Sequence, residues 1–146
     1  MGKALIVSIK PEFAERIFDG TKSIELRKCS PDVLPGDMII IYCTNPVKAV
    51  LGVCEVERIL KLKPSVMWKN YGFSLGIDKK RYTAYFENSQ LAVGIVLTKV
   101  CKLDKNISLS TIKAVLPFFH PPQTFRYYNK AKLFKSYLKY ESSINK

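Results

Sequence analysis

Met38-Ile39-Ile40-Ile41-Tyr42 is an unbroken apolar run. A strand turns alternate side chains to opposite faces, so a run of this kind must be covered on both. The turn signal Pro35-Gly36-Asp37 leads into it, fixed φ followed by free φ, and Thr44-Asn45-Pro46 breaks it. Further strands are predicted at Ala4–Ile9, at Ala49–Glu57 and over the long run Leu91–Leu103, which is expected to bend near Gly94. Gly52, inside the Ala49–Glu57 run, predicts a bulge or a close backbone approach, and could leave room for a ligand or mark a barrel corner. Pro11 suits the first position of a helix. Phe13, Ala14, Ile17 and Phe18 follow at helical spacing, and Gly20 fits a left-handed C-cap. Pro64 opens a helical turn with Val66, Met67 and Trp68. Trp68 and Tyr71 are read either as core or as a stacking platform for a base. Ile77–Phe86 reads as a helix with Tyr82, Tyr85 and Phe86 clustered and Lys79, Lys80 and Arg81 outside. Ser108–Leu116 reads as a short helix capped by its serine.

The stretch Gly20-Thr21-Lys22-Ser23-Ile24-Glu25-Leu26-Arg27 gathers three charges where a helix ends and a strand begins. In a strand from Ser23 to Arg27, Ile24 and Leu26 face one way while Glu25 and Arg27 face the other. Parity would put Lys22 on the apolar face unless it is the last turn residue. One reading is a carboxylate held between two cations at the mouth of a sheet. The other is an edge strand with its charges in water.

The spacing G-x-K-x-x-E-x-R resembles the ASCH family, which has a PUA-like fold. Ser8-Ile9-Lys10-Pro11, Pro35-Gly36-Asp37, Tyr42–Pro46, Val47–Val56 and Pro121-Pro122-Gln123-Thr124-Phe125-Arg126-Tyr127 look like the family's other landmarks, in the family's order over residues 4–128. The resemblance implies an α+β chain: a small PUA-like mixed β-barrel of five or six strands with short flanking helices. Residues 1–146 would form a single domain, with 129–146 a C-terminal helix and frayed tail, since Leu133, Phe134, Tyr137 and Leu138 recur at helical spacing. It also implies a barrel mouth ringed by Lys10, Lys22, Glu25, Tyr42, Thr44 and Gln123, with Tyr85 the nearest match to a tyrosine that the family carries toward its cleft.

Charge narrows the partners. The 146 residues carry 24 basic and 12 acidic side chains, a net charge of +12. Such an excess favours polyanions, with nucleic acid the default. It grows toward the C-terminus, where six cations between Arg126 and Lys146 face only Glu141. Cys29, Cys43, Cys54 and Cys101 are too scattered for a C-x-x-C pair, and His120 is the only histidine. No metal site and no cofactor are therefore expected. Cys43, Cys54 and Cys101 lie in or beside apolar runs and read as small core residues. No stretch approaches the ~20 apolar residues that span a membrane. Free thiols and no visible export signal in Met1–Lys10 point to the cytoplasm.

Two kinds of chemistry fit. The first is binding of RNA or a modified nucleoside, with bases stacked on Tyr85, Phe125 or Arg126 and cations on the phosphates. Glu25 would accept from an exocyclic amine, Lys22 would reach a phosphate or carbonyl, Arg27 would add charge, and Gln123 suits a Watson–Crick edge. The second is hydrolysis, with Lys22 and Glu25 catalytic. Relatives with this fold hydrolyse the acetyl amide of N4-acetylcytidine using the lysine that Lys22 matches and a threonine where this chain has Glu25, so that hydroxyl is missing here. Other relatives are ribonucleases, for which the substrate's own 2′-hydroxyl supplies the nucleophile. Lys22 could serve as a base only if burial or a nearby cation lowered its pKa, and Glu25 would oppose that.

Overall fold

The computed structural model of the chain describes residues 2–117, 119–122 and 125–129, with Phe125, Arg126 and Asn129 described in backbone only. Six strands form one sheet: β1 (Lys3–Ile9), β2 (Ile24–Arg27), β3 (Met38–Cys43), β4 (Ala49–Leu62), β5 (Ala92–Ser108) and β6 (Phe125–Asn129). Among the described residues four α-helices flank it: α1 (Pro11–Asp19), α2 (Pro64–Tyr71), α3 (Lys79–Tyr85) and α4 (Leu109–Val115). The sheet order is β2-β5-β4-β3-β1-β6. Only β1 and β3 run parallel. The α+β class holds, but the expected barrel does not close. Among the described residues β2 pairs only with β5 and β6 only with β1, so the sheet keeps two edges.

The apolar run Met38–Tyr42 is covered on both faces. Ile39, Ile41 and Cys43 join Leu5, Val7 and Ile9 in a cluster closed by Ala14 and Ile17 of α1. Ile40 and Tyr42 turn the other way, onto Ala4, Ile6, Val50 and Phe119. Each such apolar side chain contributes ~1.5–3 kcal/mol on full burial. A third cluster (Ile24, Leu26, Met67, Leu75, Tyr82 and Phe86) ties β2 to α2 and α3, and Trp68 and Tyr71 pack on it as core rather than as an open platform.

Local signals set the joints. Pro11 starts α1, and Gly20 ends it in the left-handed region at φ 87°, its N–H donating to Ile17 O. Ser108 caps α4 by accepting from Thr111 N. Asp37 is buried at the turn before β3; its carboxylate accepts from Leu34 N at 2.8 Å and Lys3 N at 3.2 Å. β4 carries register shifts on both sides of Gly52, and a β-carbon there would collide with the Phe18 ring and the Cys101 carbonyl. The close approach is thus internal packing and leaves no ligand space. Cys43 and Cys54 are buried, whereas Cys101 and Cys29 are exposed. Cys101 falls where β5 has run past the core, which overturns its reading as a core residue. Asn129 belongs to β6, and residues 130–146 of the expected C-terminal helix lie outside the described residues. Among the described residues, no helix is long and apolar enough to cross a membrane.

Candidate functional site

The end of α1 determines where Lys22 goes. After the Gly20 cap, Lys22 N donates to Arg16 O at 2.9 Å and Lys22 forms a single bridge with Leu75. The strand period starts only afterwards, at Ile24, which removes the parity conflict. The Lys22 side chain then turns inward and is 4% exposed. Its Nζ donates to Leu75 O at 2.7 Å and stands 5.6 Å from the centre of the Phe13 ring. Gly76 holds its stem from the other side. At φ +62° Gly76 is in the left-handed region, and an added β-carbon would sit 2.6 Å from Lys22 Cβ.

β2 supplies the partners. Ile24 and Leu26 face the third cluster, while Glu25 lies opposite Ile95 and shares the α1 side of the sheet with Arg27. These charges are not in water: both side chains are 11% exposed. Glu25 Oε1 accepts from Leu26 N at 3.1 Å, and Glu25 Oε2 lies 3.9 Å from an Arg27 amine. Arg27 also donates to Ser8 O at 3.1 Å. That leaves Glu25 Oε2 and Arg27 Nε buried without a hydrogen-bond partner among the described residues. Most buried polar atoms are paired, so two such orphans side by side call for a cause.

Glu25 and Arg27 are among the residues that line a cleft of about 260 Å³, with Ser8, Lys10, Phe13, Lys22, Arg81 and Tyr85 among others. Three cations approach the single Phe13 ring: Lys22, Arg16 at 5.7 Å and Arg81 at 5.3 Å. Arg81 is held by Glu12 at 2.6 Å and Asp78 at 2.8 Å. Burial pushes the Lys22 amine below its ordinary range; Glu25 opposes this, and Arg27 and Arg16 reinforce it. Burial therefore prevails over the opposite charge. Tyr85 is 37% exposed, with Lys28 4.9 Å from its ring centre. Burial raises its phenol pKa, and Arg27 works against that.

Of the site residues expected from sequence, the structure brings Lys10, Lys22, Glu25, Arg27 and Tyr85 together. It does not bring Tyr42, which points through the opposite face of β3 into the Phe119 cluster. Thr44 sits past the end of β3, its N–H donating to the carbonyl of the lining residue Ile9, but Thr44 itself is not in the cleft lining. Gln123 and the side chains of Phe125 and Arg126 lie outside the described residues. Sequence reasoning missed Phe13, read as ordinary helix core, and Gly76 and Arg81, which approach from α3 and the turn before it. Among the described residues, no three His, Cys, Asp or Glu side chains stand close enough to hold a metal ion.

The ASCH domain family model matches residues 7–101. The chain belongs to the ASCH domain family. A curated relative, the ASCH domain-containing ribonuclease of Zymomonas mobilis, is 31% identical over 128 residues, 88% of this chain and 86% of that protein. The crystal structure of ASCH from Zymomonas mobilis superposes with a TM-score of 0.86 at 29% identity, covering 93% of this chain and 94% of the other. Human THYN1, solved in complex with 5-methylcytosine-containing DNA, shares the fold at a TM-score of 0.57 and 10% identity, over 93% of this chain and 96% of its own.

Proposed function

We propose that the cleft of this ASCH domain binds single-stranded RNA and cuts it through attack by the RNA's own 2′-hydroxyl. The observation that carries this reading is the pair of buried, unpartnered atoms Glu25 Oε2 and Arg27 Nε, an acceptor and a donor on two residues that line the same cleft. A polar ligand supplying one donor and one acceptor would satisfy both.

Each group has a task. Glu25 Oε2 takes the 2′-hydroxyl proton as the P–O2′ bond forms. Arg27 Nε donates to a non-bridging oxygen and offsets the charge that gathers there. The Lys22 ammonium, more acidic than that of a lysine in water, returns a proton to the 5′-oxygen as the P–O5′ bond breaks. The products are a 2′,3′-cyclic phosphate and a 5′-hydroxyl, and no further reactant is needed. Tyr85 offers a face for a base, and the net charge of +12 draws the polyanion in. The name of the 31%-identical Zymomonas mobilis ribonuclease, which this chain spans nearly end to end, supports the same class. The acetyl-amide reaction is less well supported, because Glu25 stands where that chemistry would use a hydroxyl.

The test is a 5′-labelled single-stranded RNA. The wild-type chain should retain it, with affinity falling steeply as salt rises, and shorten it. Glu25→Gln should keep retention while lowering the cleavage rate by ~10²–10⁴-fold. RNA retained and left intact by the wild type would reduce the reading to a binding module. Unchanged cleavage by Glu25→Gln would remove the carboxylate from the mechanism.

A further inference from the structure

A second concavity, larger than the cleft, is found among the described residues. On the opposite face of the sheet lies a groove of about 730 Å³, walled by Ile6, Met38 and Ile40 on one side and by Leu103, Ile112 and Leu116 on the other. Its lining is almost wholly apolar; Asp104, Lys105 and Thr111 are the polar exceptions among the described residues. An apolar concavity of this size marks a place where something docks.

We infer that the occupant is the chain's own segment 130–146, laid as a helix with Leu133, Phe134, Tyr137 and Leu138 in the groove. This goes beyond the RNA reading and does not depend on it. Three observations carry it. The first is where the described chain ends. Asn129 pairs with Lys3, and the next β1 residue, Ala4, pairs with Met38 on the groove wall. Asn129 is therefore two strand spacings from β3, ~10 Å across the sheet. Three extended residues, Lys130 to Lys132, also span ~10 Å and would set Leu133 at the groove's edge.

The second observation is the pattern of the segment. At 100° per residue, Leu133, Tyr137, Phe134 and Leu138 fall on one stripe, flanked by Tyr140, while Lys132, Lys135 and Lys139 fall on the far side. Such a helix would bury every apolar side chain it has and keep these three cations in water. Ten residues, 131–140, would run ~15 Å. The third observation is continuity. Tyr128, two residues before the segment begins, already packs on the cluster that floors this face, as do Ile112 and Leu116 from the opposite wall. Docking would extend an existing apolar layer rather than found a new one.

The experiment uses the full chain with Cys29 and Cys101, the exposed thiols, changed to serine, and a nitroxide attached through Ser136→Cys. Methyl NMR should show the Ile40, Leu103 and Ile112 signals broadened and those of Ile24 and Leu75, in the cluster beside α3, spared. The broadening should survive tenfold dilution. It should disappear in the Phe134→Asp, Leu138→Asp double variant, whose Ile24 and Leu75 signals keep their positions and so report a folded chain. Groove methyls at full intensity would overturn the inference. Broadening that fades on dilution would also overturn it, by assigning the groove to a second copy.

Discussion

Replacing Lys22 by methionine keeps most of the stem volume and removes one buried charge. The consequence can be worked out with its sign. Burial lowers the Lys22 pKa in the folded state below the ordinary 10.5. Between the folded value and 10.5 the unfolded chain binds a proton that the folded chain does not. Stability contributed by this group therefore rises with pH across that window, by up to ~1.4 kcal/mol per pH unit. Below the folded pKa both states are protonated, and the full destabilisation is present and constant. Other buried acids act in the same alkaline region with the opposite sign. Burial pushes Cys54 and Tyr82 up to about 12 and raises Cys43 and Tyr42, so their contribution, full below their unfolded values, is lost as pH climbs from those toward the folded ones. These terms occur in both proteins and cancel in the difference. Urea denaturation of wild type and Lys22→Met, every half unit from pH 6 to 10.5, gives that difference. The variant should gain on the wild type by up to ~1.4 kcal/mol for each unit the pH falls below 10.5 and then level off at the folded pKa of Lys22. The lost bond to Leu75 O shifts the whole difference curve by ~1.5–3 kcal/mol without changing its slope. A flat difference curve would mean that Lys22 is solvated like any surface lysine, and the argument from burial would fail.

Other outcomes follow from single contacts. Gly76→Ala should cost ~1–2 kcal/mol for the left-handed backbone, plus a comparable amount for displacing the Lys22 stem; chemical denaturation reads the sum. Asp37→Ala leaves the Leu34 and Lys3 amides without their acceptor and should lose ~2–4 kcal/mol, read the same way. Tyr85→Ala should weaken RNA retention by ~1–3 kcal/mol per stacked base, beyond a stability loss from its edge-on contact with Phe86 that chemical denaturation reads separately.

Much of the frame could be read before any coordinates. The Gly20 cap, the Ser108 cap, the doubly covered β3 and the opposed faces of Ile24–Leu26 and Glu25–Arg27 all follow from local rules that the fold obeys. What failed has identifiable physics. Ala49 and Leu51 face α1, yet past the shift at Gly52 the same face is taken by Cys54 and Val56, so the alternation changes phase and the run reads as uniformly apolar. β4 and β5 continue well beyond their apolar stretches because long-range pairing, not local composition, sustains them. The resemblance alone carries Tyr42 to the mouth; parity tells which residues share a face but not which face holds the cleft, and Tyr42 turns onto the other one. Closure of the barrel is likewise a statement about the two edge strands, and nothing local in either encodes it.

The amine buried beside Phe13 has one more thermodynamic implication. A phosphate entering the cleft would give Lys22 the counter-charge that desolvation withholds, raising its proton affinity while the complex lasts. Filling the site and taking up hydrogen ions would then be a single coupled equilibrium. In calorimetry the apparent heat of association should change with the ionisation enthalpy of the buffer, and occupancy should weaken as the solution is made more alkaline.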